Sequence, residues 1–589
     1  MEFNPSPAVP VVLQMDAADC GVAALANILR HYGKDVSLTE LRAACGQTGD
    51  HRRASGIVRA AQNYGLQARV TRCHAQMLQE RPYLLPAIAL WENNHFLVVE
   101  RFSESSVFLQ DPRCGLKEVT SEKFAQSFSH VVILATPQRN FQAASPPSYK
   151  RSKEDALLRE LQRGVRGEVS SFDEGLVGYQ RDFGGILSRR PRLIVRTSCE
   201  EDVVHALQIA QSARVPVRFR GAGHSCQGQS LSEGGILLVN IADHVDYEML
   251  DEERVLVTTR SRWHYLEKEL NQIGRSFPVL TDNPITTIGG TLSVGGYGPR
   301  SIAHGAQVMQ VEQVRLILPS GEAVWCSPQR NQELFQFSLA GLGQVGLMER
   351  VVLRTVPRFP PTIWHQEEYP DLFGMAGALQ ALAGAGERPD AFMAYQISGQ
   401  GLYACYGFDQ GRETPLVAEL QRRGVPVSQT PANLGYAYRQ NWSADAYCPA
   451  VDYFVEPEQL PAFLSFLDDR LRSNHLAPYI HGLLILAVRR PEDRWLPFEA
   501  SSFGANPIKF LVGFYPIIPA QDVAGLEKVQ TLLRETLSVC QQLGGRPYLY
   551  GWHDLTESAK RRLYDPHYSR LQTLRSHLDP HHLVNHGVF

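Results

Sequence analysis

A short glycine-rich stretch constrains the fold of this chain more than any other feature of its sequence. Residues 219–229 read Phe-Arg-Gly-Ala-Gly-His-Ser-Cys-Gln-Gly-Gln and follow an apolar, strand-like run at 215–219. Three glycines within eight positions let backbone N–H groups approach a phosphate closely. A dinucleotide-binding Rossmann turn would place G-x-G-x-x-G at the start of a helix, whereas no helical period follows Gln229. The stretch therefore predicts a phosphate-binding loop of another kind, with His224 inside it.

Two further glycine-containing segments accompany the first. Residues 281–293 read Thr-Asp-Asn-Pro-Ile-Thr-Thr-Ile-Gly-Gly-Thr-Leu-Ser, and residues 341–346 read Gly-Leu-Gly-Gln-Val-Gly. Together the three segments resemble the FAD-binding loops of the vanillyl-alcohol-oxidase type flavoproteins, in particular cytokinin dehydrogenase. The resemblance extends over about residues 155–589 and includes Asp-Phe-Gly-Gly at 182–185 and Asp-Pro at 579–580.

The resemblance assigns roles to the loop residues. It implies that His224 carries the 8α-methyl group of FAD covalently, and that Asp282 takes a proton as hydride leaves the C–N bond of the substrate. Burial beneath a flavin ring would raise the pKa of this aspartate towards that of a usable base. The residues implied to hold the FAD pyrophosphate are Arg220, Gly221, Ala222, Gly223, Ser225 and Gln229. Further implied contacts with FAD are Asp282, Thr287, Ser293, Met348 (through its backbone), Tyr548 and Asn585.

Simpler interpretations of both residues stay open. His224 would then hydrogen-bond the backbone of a surface loop, and Asp282 would cap a helix or form an Asx-turn before Pro284.

Some flavoproteins of this type attach FAD a second time, through a cysteine six residues before the Gly-Gly pair, where this chain has Asn283. We therefore predict one covalent link to FAD.

A second candidate site lies near the start of the chain. Cys20 opens a predicted helix that runs to Tyr32, and a thiol at a helix N-terminus is favoured as the nucleophilic thiolate. Strands predicted at 91–100 and 107–111, joined by a polar turn, carry His95 and Asp111. Such a hairpin would supply a base and a group that orients it. The alternative is that the cysteine only packs a helix end.

The spacing around this cysteine carries a second family resemblance. Gln14, six residues before Cys20, would offer a side-chain amide to a developing oxyanion. Gln-x5-Cys-Gly, followed by His-Phe-x-Val-Val and Asp-Pro, resembles the bacteriocin-processing cysteine peptidases, which are papain-like domains that cut after double-glycine leaders. Over about residues 10–137, the resemblance implies that Cys20, His95, Asp111 and Gln14 take these roles. Members are commonly fused to a membrane-spanning exporter with an ATPase, which this sequence does not show. Hydrolysis of a leader and acyl transfer to an amine therefore both stay open.

The domain organisation follows from these resemblances and from a Ser/Pro-containing linker. We expect an α+β multidomain chain in which a papain-like cysteine peptidase domain precedes a two-part FAD-binding oxidase of the PCMH type. The predicted segments are 1–137 for the peptidase-like domain, 138–170 for a linker and short helix, 171–360 for the FAD-binding domain, 361–535 for a cytokinin-dehydrogenase-like substrate-binding domain, and 536–589 for a C-terminal segment that returns to the FAD domain.

Composition excludes several classes of partner. The formal charge of −3 over 589 residues predicts no binding to nucleic acid, and no apolar run is long enough to span a bilayer. Ten cysteines without a C-x-x-C pair indicate reduced thiols in a cytoplasm. Four histidines near the C-terminus are interrupted by Asp-Pro, so we expect no metal site; they are His577, His581, His582 and His586.

The predicted function is that of a bifunctional bacterial enzyme in the biosynthesis of a peptide-like natural product. An FAD-dependent oxidase or dehydrogenase would act on a C–N or C–O bond, and the cysteine domain would hydrolyse or transfer an acyl group. Ala450 stands where cytokinin dehydrogenase has an aromatic residue, so the expected substrate is another amine, amide or alcohol. In the alternative, the N-terminal domain only binds a leader peptide or carrier protein. A third possibility is a flavin-type fold that binds without turnover.

Overall fold

The computed structural model describes residues 20–32, 34, 36, 41, 44–45, 54–93, 95–103, 105–112, 115–138, 141, 148–171, 177–397, 401–429, 446–473, 476–490 and 496–588. Gln14 therefore lies outside the described residues. The chain divides into two compact units, Met1–Arg159 with Asp173–Val177 and Glu160–Phe172 with Gly178–Phe589. Each unit has hydrophobic cores of its own.

The first unit is built on an antiparallel sheet of six strands. The strands are β1 (Leu66–Arg72), β2 (Ala87–Trp91), β3 (His95–Phe102), β4 (Ser106–Asp111), β5 (Gly115–Thr120) and β6 (Phe128–Pro137), in the order β1-β6-β2-β3-β4-β5. The helices are α1 (Cys20–His31), α2 (Ala54–Asn63), α3 (Ala75–Glu80) and α4 (Ser121–Ser127). A 3-10 turn spans Pro82–Leu84.

Alternating side chains give this sheet one core on each face. Leu97 of β3 packs in one core with Leu109 of β4. Phe96 and Val98 point to the other face, where they meet the buried side of α1. The helix predicted from Cys20 is thereby confirmed, and its first residue is held against the start of β3.

The strand predicted at 91–100 is wrong in one respect. It is two strands, because β2 ends at Trp91 and β3 begins at His95. Glu92 and Asn93 have φ of 48° and 61°, in the left-handed region that reverses the chain between paired strands. The polar residues Glu92, Asn93 and Asn94, between two runs that are largely apolar, were the available signal for this turn.

The second unit begins with a small sheet that leads into the glycine-rich loop. Strands β8 (Leu193–Arg196), β9 (Val217–Arg220) and β10 (Ile236–Val239) pair in parallel, and β7 (Glu168–Ser171) pairs antiparallel with β8. Helix α6 (Glu200–Ala213) connects β8 to β9, as parallel strands require. The loop starts directly after β9. Helix α5 (Ser148–Gly164), which contains the helix predicted at 154–163, lies before this sheet along the chain.

A five-stranded antiparallel sheet follows along the chain. Its strands are β11 (Tyr247–Met249), β12 (Arg254–Thr258), β14 (Val311–Ile317), β15 (Ala323–Cys326) and β16 (Leu347–Arg354), in the order β11-β12-β16-β14-β15. A separate pair joins β13 (Arg275–Ser276) to β17 (Val356–Pro357). The helices of this part are α7 (Trp263–Gln272), α8 (Ile288–Leu292), α9 (Ser301–His304) and α10 (Gln332–Ser338).

The rest of the second unit is organised on an antiparallel sheet of eight strands. They are β18 (Thr362–Tyr369), β19 (Ala391–Ile397), β20 (Leu402–Asp409), β21 (Val427–Ser428), β23 (Val451–Val455), β24 (Ile480–Arg489), β25 (Ile508–Pro516) and β27 (Arg546–Pro547), in the order β21-β18-β20-β19-β24-β25-β23-β27. A short pair joins β22 (Ala446–Tyr447) to β26 (Ile518–Pro519). The helices are α11 (Leu372–Gly384), α12 (Pro415–Arg422), α13 (Leu460–Ser473), α14 (Val523–Gln542), α15 (Glu557–Tyr564) and α16 (His567–Leu578).

The pleat of this large sheet decides which side chains face the helices. On β19, Phe392 and Ala394 pack in the core that contains residues of α11, α13 and α14. Met393 and Tyr395 point to the opposite face and join the other core of the unit. No helix among the described residues is both long and apolar enough to cross a bilayer.

Asp202 fixes the start of α6 to the chain before β7. The carboxylate is fully buried and accepts hydrogen bonds from the backbone N–H groups of Arg166 (2.7 Å), Gly167 (3.0 Å) and Ser198 (2.7 Å). The hydroxyl of Ser198 donates a further bond of 2.9 Å. Burial raises the pKa of Asp202, but these hydrogen bonds outweigh it and hold the pKa below its usual range.

We expect Asp202→Ala to lower the free energy of unfolding of the second unit by about 3 kcal/mol, since several donors to a charged group lose their partner. Because the folded-state pKa of Asp202 is depressed, its contribution is complete above the unfolded pKa of about 3.9. The contribution is lost as the pH falls through the folded value. Urea denaturation of wild type and variant at neutral and at acidic pH measures the difference in their free energies of unfolding. Glu201→Ala, in the same helical turn but exposed, is the control; an equal loss in both variants would contradict the account.

Candidate functional site

Cys20, His95 and Asp111 come together in the first unit. Nε2 of the His95 ring lies 2.6 Å from Oδ1 of Asp111, and both side chains are buried. Strands β3 and β4 pair antiparallel, with Val98 opposite Gln110. The start of β3 at His95 therefore lies near the end of β4 at Asp111. The side chain of His95 also hydrogen-bonds to Cys20 at the first residue of α1. Gln14 lies outside the described residues, so its role stays a prediction.

The surroundings of Cys20 favour its thiolate. Burial is the largest single effect and raises the pKa of this thiol, but the hydrogen bond and the charge of His95, together with backbone groups, lower it further than burial raises it. Backbone groups of Phe96 and Gly21 add to the lowering. The net pKa of Cys20 lies below its ordinary value, whereas burial raises the pKa of the neighbouring core residue Cys45 to about 11.

The second unit holds a cavity that collects every residue predicted to contact the cofactor. These residues come from three loops and from the C-terminal segment, which are far apart in the sequence. They are Arg220, Gly221, Ala222, Gly223, His224, Ser225, Gln229, Asp282, Thr287, Ser293, Met348, Tyr548 and Asn585.

The glycine-rich loop presents a row of backbone donors to this cavity. No hydrogen bond within the described chain is made by the backbone N–H of Gly221, Ala222, Gly223, His224 or Ser225. All five residues line the cavity. Successive N–H groups without partners form a concave binding site for an anion, and a diphosphate suits such a site.

Contacts beneath the loop hold it in this shape. Asp182 is fully buried and accepts hydrogen bonds from the N–H groups of Gly228 (2.5 Å) and Gly185 (3.2 Å). The guanidinium of Arg220 donates to the carbonyls of Arg181 and Ser230, among others, so it braces the loop from below. A Cβ on Gly223, whose φ is 75°, would stand 2.4 Å from this guanidinium. Only glycine fits there.

His224 is neutral and firmly packed. Its ring stacks obliquely on Phe183, with 4.2 Å between centroids, and Nε2 lies 3.4 Å from Nδ2 of Asn283. Burial lowers the pKa of His224 to about 4. The imidazole therefore keeps a lone pair at neutral pH, which a nucleophilic nitrogen requires.

In the second loop, at 281–293, the structure distinguishes between two positions for Asp282: in the turn before the helix, or facing the cavity. Asn283, not Asp282, makes the turn before the helix, since its Oδ1 accepts from the N–H of Ile285 and its carbonyl from that of Thr286. Asp282 makes no side-chain hydrogen bond with another described side chain and lines the cavity. Burial raises the pKa of this carboxyl.

Asp452 is a cavity residue that sequence reasoning missed. It lies on β23, on the face opposite the helices, and its carboxylate accepts hydrogen bonds from the hydroxyls of Tyr550 (2.6 Å) and Tyr515 (3.0 Å). Burial, opposed by these two bonds and reinforced by the charge of Asp282, raises the pKa of Asp452 to about 7. An acidic residue within the otherwise apolar run 451–455 was the available signal.

Several predicted contact residues also tie the loops together. Thr287 accepts from the N–H of Gly290 and caps α8, and the hydroxyl of Ser293 donates to the carbonyl of Gly289. The carbonyl of Met348 accepts from Thr259. The side-chain amide of Gln229 donates to the carbonyl of Leu549, and the hydroxyl of Tyr548 accepts from the N–H of Gly296. The side chain of Asn585 accepts from the N–H of Phe219 and donates to the carbonyl of Gly343.

Much of the wall that the large sheet gives to the cavity is apolar. It is formed by side chains of β19, β24 and β25, which alternate with residues that face the helices. These cavity residues are Met393, Tyr395, Ile397, Leu484, Leu486 and Leu511. In the described part of the chain, no group of three or more His, Cys, Asp or Glu is arranged to hold a metal ion.

Two family models match the chain. The model of the Peptidase C39 family matches residues 8–140, and that of an FAD binding domain matches residues 191–327. The chain joins a C39 peptidase domain to an FAD-binding oxidoreductase domain. Both resemblances inferred from the sequence and the predicted fold class are confirmed, and FAD is the cofactor that the second unit binds.

The curated relatives match the oxidoreductase part. Cytokinin dehydrogenase 8 of Oryza sativa subsp. indica is 30% identical over 235 residues, which cover 37% of this chain and 44% of that protein. Cytokinin dehydrogenase 10 of Oryza sativa subsp. japonica is 26% identical over 493 residues, which cover 72% of this chain and 88% of that protein. The chain thus spans less than half of the first relative and most of the second.

A solved structure shows the same fold. A chitooligosaccharide oxidase superposes with a TM-score of 0.59 at 17% sequence identity, over 73% of this chain and 97% of that one. At this identity the likeness concerns the fold of the oxidoreductase part.

We expect iodoacetamide to alkylate Cys20 at pH values below the ordinary range of a thiol, because its pKa is lowered. His95→Ala removes the hydrogen bond and charge that lower it, so the rate of alkylation at pH 7 should fall about tenfold or more, one pKa unit being a factor of ten. Mass spectrometry of the modified peptide measures the rate from pH 5 to 9. Cys45→Ser is the matched control and should leave the profile unchanged. A profile that His95→Ala does not move would contradict the assignment.

Proposed function

We propose that the second unit is an FAD-dependent oxidase or dehydrogenase that oxidises a C–N or C–O bond by removing hydride from its carbon atom, with FAD attached through His224. The observation that carries the proposal is the meeting, in one cavity, of unpartnered loop N–H groups, a neutral imidazole and the carboxylate of Asp282. The first unit would make or break an acyl bond on the same pathway.

The residues present fit FAD. The five N–H groups of residues 221–225 would receive the diphosphate, and the apolar wall from the large sheet would cover the flavin ring and the substrate. FAD, when bound, accepts two electrons as hydride. His224 would supply the nitrogen that bonds to the 8α-carbon, since burial keeps its imidazole unprotonated at neutral pH. Asn283 and Phe183 would hold the ring in position.

Asp282 is the proposed acceptor of the substrate's N–H or O–H proton. Both of its oxygens are free of partners among the described side chains, and it faces the cavity. Asp452 is less suited to this step, because each of its oxygens already accepts from a tyrosine hydroxyl. Its proposed task is to orient Tyr515 and Tyr550 above the substrate.

The lining narrows the class of substrate. Apolar side chains dominate the part of the cavity that comes from the large sheet, so a substrate with an apolar body and one amine or hydroxyl group would suit it. Cytokinin itself is not the expected substrate, because Ala450, which also lines the cavity, replaces an aromatic residue. Chitooligosaccharides would leave many hydroxyl groups against the apolar wall.

In the first unit, Cys20 is the proposed nucleophile. Its thiolate would attack a carbonyl carbon and form a thioester, while His95 protonates the departing amine. Water or a second amine would then cleave the thioester and return the thiol. Asp111 would hold the imidazole through the 2.6 Å hydrogen bond. A leader peptide or carrier protein is the proposed partner. If Cys20→Ala leaves the acyl step intact, the unit is a binding module instead.

We expect acid precipitation of the purified chain to give a yellow pellet, because a covalent bond survives denaturation of the protein. His224→Ala should bind FAD through the loop N–H groups but release all of it into the supernatant. Absorbance of pellet and supernatant measures the partition. His481→Ala, at another wall of the cavity, should keep the flavin in the pellet. A colourless pellet from a wild-type chain that binds FAD would show that the tether is absent.

We expect Asp282→Asn to slow anaerobic reduction of the flavin by an amine or alcohol substrate about 100-fold or more, because the proton loses its acceptor. In the wild type the rate should rise with pH as Asp282 loses its proton. The midpoint of this rise should lie above the ordinary aspartate pKa of about 3.9, because burial raises the pKa of Asp282. Stopped-flow bleaching of the flavin measures both effects. Asp452→Asn, which keeps one oxygen as an acceptor, is the comparison; a greater loss there than in Asp282→Asn would reverse the assignment.

A further inference from the structure

A row of residues that lie opposite one another crosses the large sheet along the wall of the cavity. Tyr395 of β19 lies opposite Leu484 of β24. Gly513 of β25 lies between Leu484 and Asp452 of β23. The side chains of Tyr395, Leu484 and Asp452 all line the cavity. The row therefore leads from an aromatic and apolar end to a single carboxylate.

Gly513 leaves the room that this carboxylate occupies. A Cβ at Gly513 would overlap Oδ1 of Asp452, and it would stand 2.8 Å from the hydroxyl oxygen of Tyr515. The carboxylate therefore leans from β23 over β25, towards the middle of the sheet. A glycine within a strand often marks such a close approach. Gly513 thus fixes the place at which the negative charge of Asp452 is presented to the cavity.

Two tyrosine hydroxyls make this place rich in acceptors. Tyr550 donates its hydroxyl proton to Oδ2 of Asp452 (2.6 Å), and Tyr515 donates its own to Oδ1 (3.0 Å). A phenol has one O–H proton, so each tyrosine oxygen can offer only lone pairs to a further group. An ionised carboxylate also only accepts, and its two oxygens have lone pairs beyond those that the tyrosines use. Three groups that accept without donating therefore meet on the wall of the cavity.

Among the described residues that line the cavity, none offers an arginine or lysine side chain to this carboxylate. Arg220 is the one such residue in the lining, and its guanidinium donates to carbonyl groups beneath the glycine-rich loop. Asp282 adds a second carboxylate to the lining, and the diphosphate of FAD would add further negative charge. Burial, together with the charge of Asp282, raises the pKa of Asp452 to about 7. A bound cation would favour the ionised form of Asp452.

We propose that Asp452, Tyr515 and Tyr550 bind the ammonium group of the substrate, so that the oxidised bond is the C–N bond of an amine with an apolar body. This inference rests on the proposed function and decides between the amine and the alcohol that the proposed function leaves open. A primary ammonium group brings a positive charge and three N–H donors to three acceptors. An alcohol brings one O–H donor, and its oxygen would meet no donor in this cluster.

The proposed reaction places a positive charge beside Asp452 in both the substrate and the product. One N–H bond of the ammonium group breaks, and its proton goes to Asp282, which leaves a neutral amine with a lone pair. The C–H bond of the neighbouring carbon then breaks, and hydride carries both electrons of that bond to FAD. The nitrogen lone pair forms the C=N bond of an iminium cation. The carboxylate of Asp452 stabilises this charge as it develops.

The apolar body of the amine would extend along the row, away from Asp452. Neighbouring strands are about 4.8 Å apart, so Leu484 lies roughly 10 Å and Tyr395 roughly 14 Å from Asp452 across the sheet. Leu486 and Leu511 belong to the same apolar face. An amine that carries a short hydrocarbon chain or one aromatic ring is therefore a suitable probe of this site.

The test compares two pairs of probes, each with one apolar body and a different polar group. The pairs are hexylamine with 1-hexanol and 2-phenylethylamine with 2-phenylethanol. The FAD-loaded chain is photoreduced and kept under nitrogen, so that no probe is consumed, and equilibrium dialysis at neutral pH gives the dissociation constants. We expect each amine to bind the wild type about tenfold or more tightly than its alcohol, because its hydrogen bonds to a carboxylate are charge-assisted.

Three variants locate the source of this preference. Asp452→Asn should lower the ratio of the two dissociation constants about tenfold, because it removes the charge and puts N–H donors among the acceptors. Gly513→Ala should also lower the ratio, since it keeps the charge but displaces the carboxylate. Asp469→Asn removes an equal charge at an exposed position of α13 and should leave the ratio unchanged.

A structural role for Asp452 is the competing explanation. The carboxylate would then only tie Tyr515 and Tyr550 to β23, and Asp452→Asn would weaken the binding of amine and alcohol alike. Equal binding of amine and alcohol by the wild type, or a ratio that Asp452→Asn does not change, overturns the ammonium site. If Asp452→Asn does not fold, Tyr515→Phe removes one of the acceptors and should lower the ratio without weakening the binding of the alcohol.

Anaerobic bleaching of the oxidised flavin by the same probes separates this inference from the proposed function. A chain whose flavin is bleached by the alcohols but not by the amines keeps the proposed function and overturns this inference alone. A chain whose flavin is bleached by the amines, with the preference lost in Asp452→Asn, supports both. A wild-type chain that binds no FAD would overturn the proposed function together with this inference.

Discussion

The second unit depends on a loop whose backbone donors are left without partners in the chain. Five successive N–H groups at 221–225 point to no acceptor among the described residues, yet the loop is held from below by Asp182 and Arg220. Buried or half-buried N–H groups without acceptors are unfavourable, so the loop is stable in this form only when water or an anion meets them. The other two loops and the C-terminal segment close around the same place.

Burial in this one cavity sets the chemistry of its side chains. Loss of water keeps His224 neutral and raises the pKa of both Asp282 and Asp452. The same effect leaves the imidazole unprotonated and makes both carboxylates better proton acceptors than an exposed aspartate. In the first unit, a close histidine and two backbone groups together outweigh burial and lower the pKa of Cys20. Burial therefore dominates the pKa values of these side chains in the second unit, whereas hydrogen bonds and charge dominate the pKa of Cys20 in the first unit.

Local pattern was enough to predict much of both sites. The glycine spacing placed His224 in a phosphate-type loop, and the predicted hairpin brings His95 to Asp111. The sequence marked Asp452 only as an acidic residue in an apolar run, because its hydrogen-bond partners are tyrosines at 515 and 550 that the fold brings to it.

The most direct test of this account is hydrogen exchange at the amides of residues 221–225. The chain is prepared from a riboflavin-depleted host and compared with and without added FAD. We predict that these amides exchange freely without FAD and become protected by at least about tenfold when it binds, because the diphosphate then accepts their hydrogen bonds. The amide of Gly298, which already donates to Ser301, should change little. Bound FAD with unchanged exchange at 221–225 would contradict the central claim.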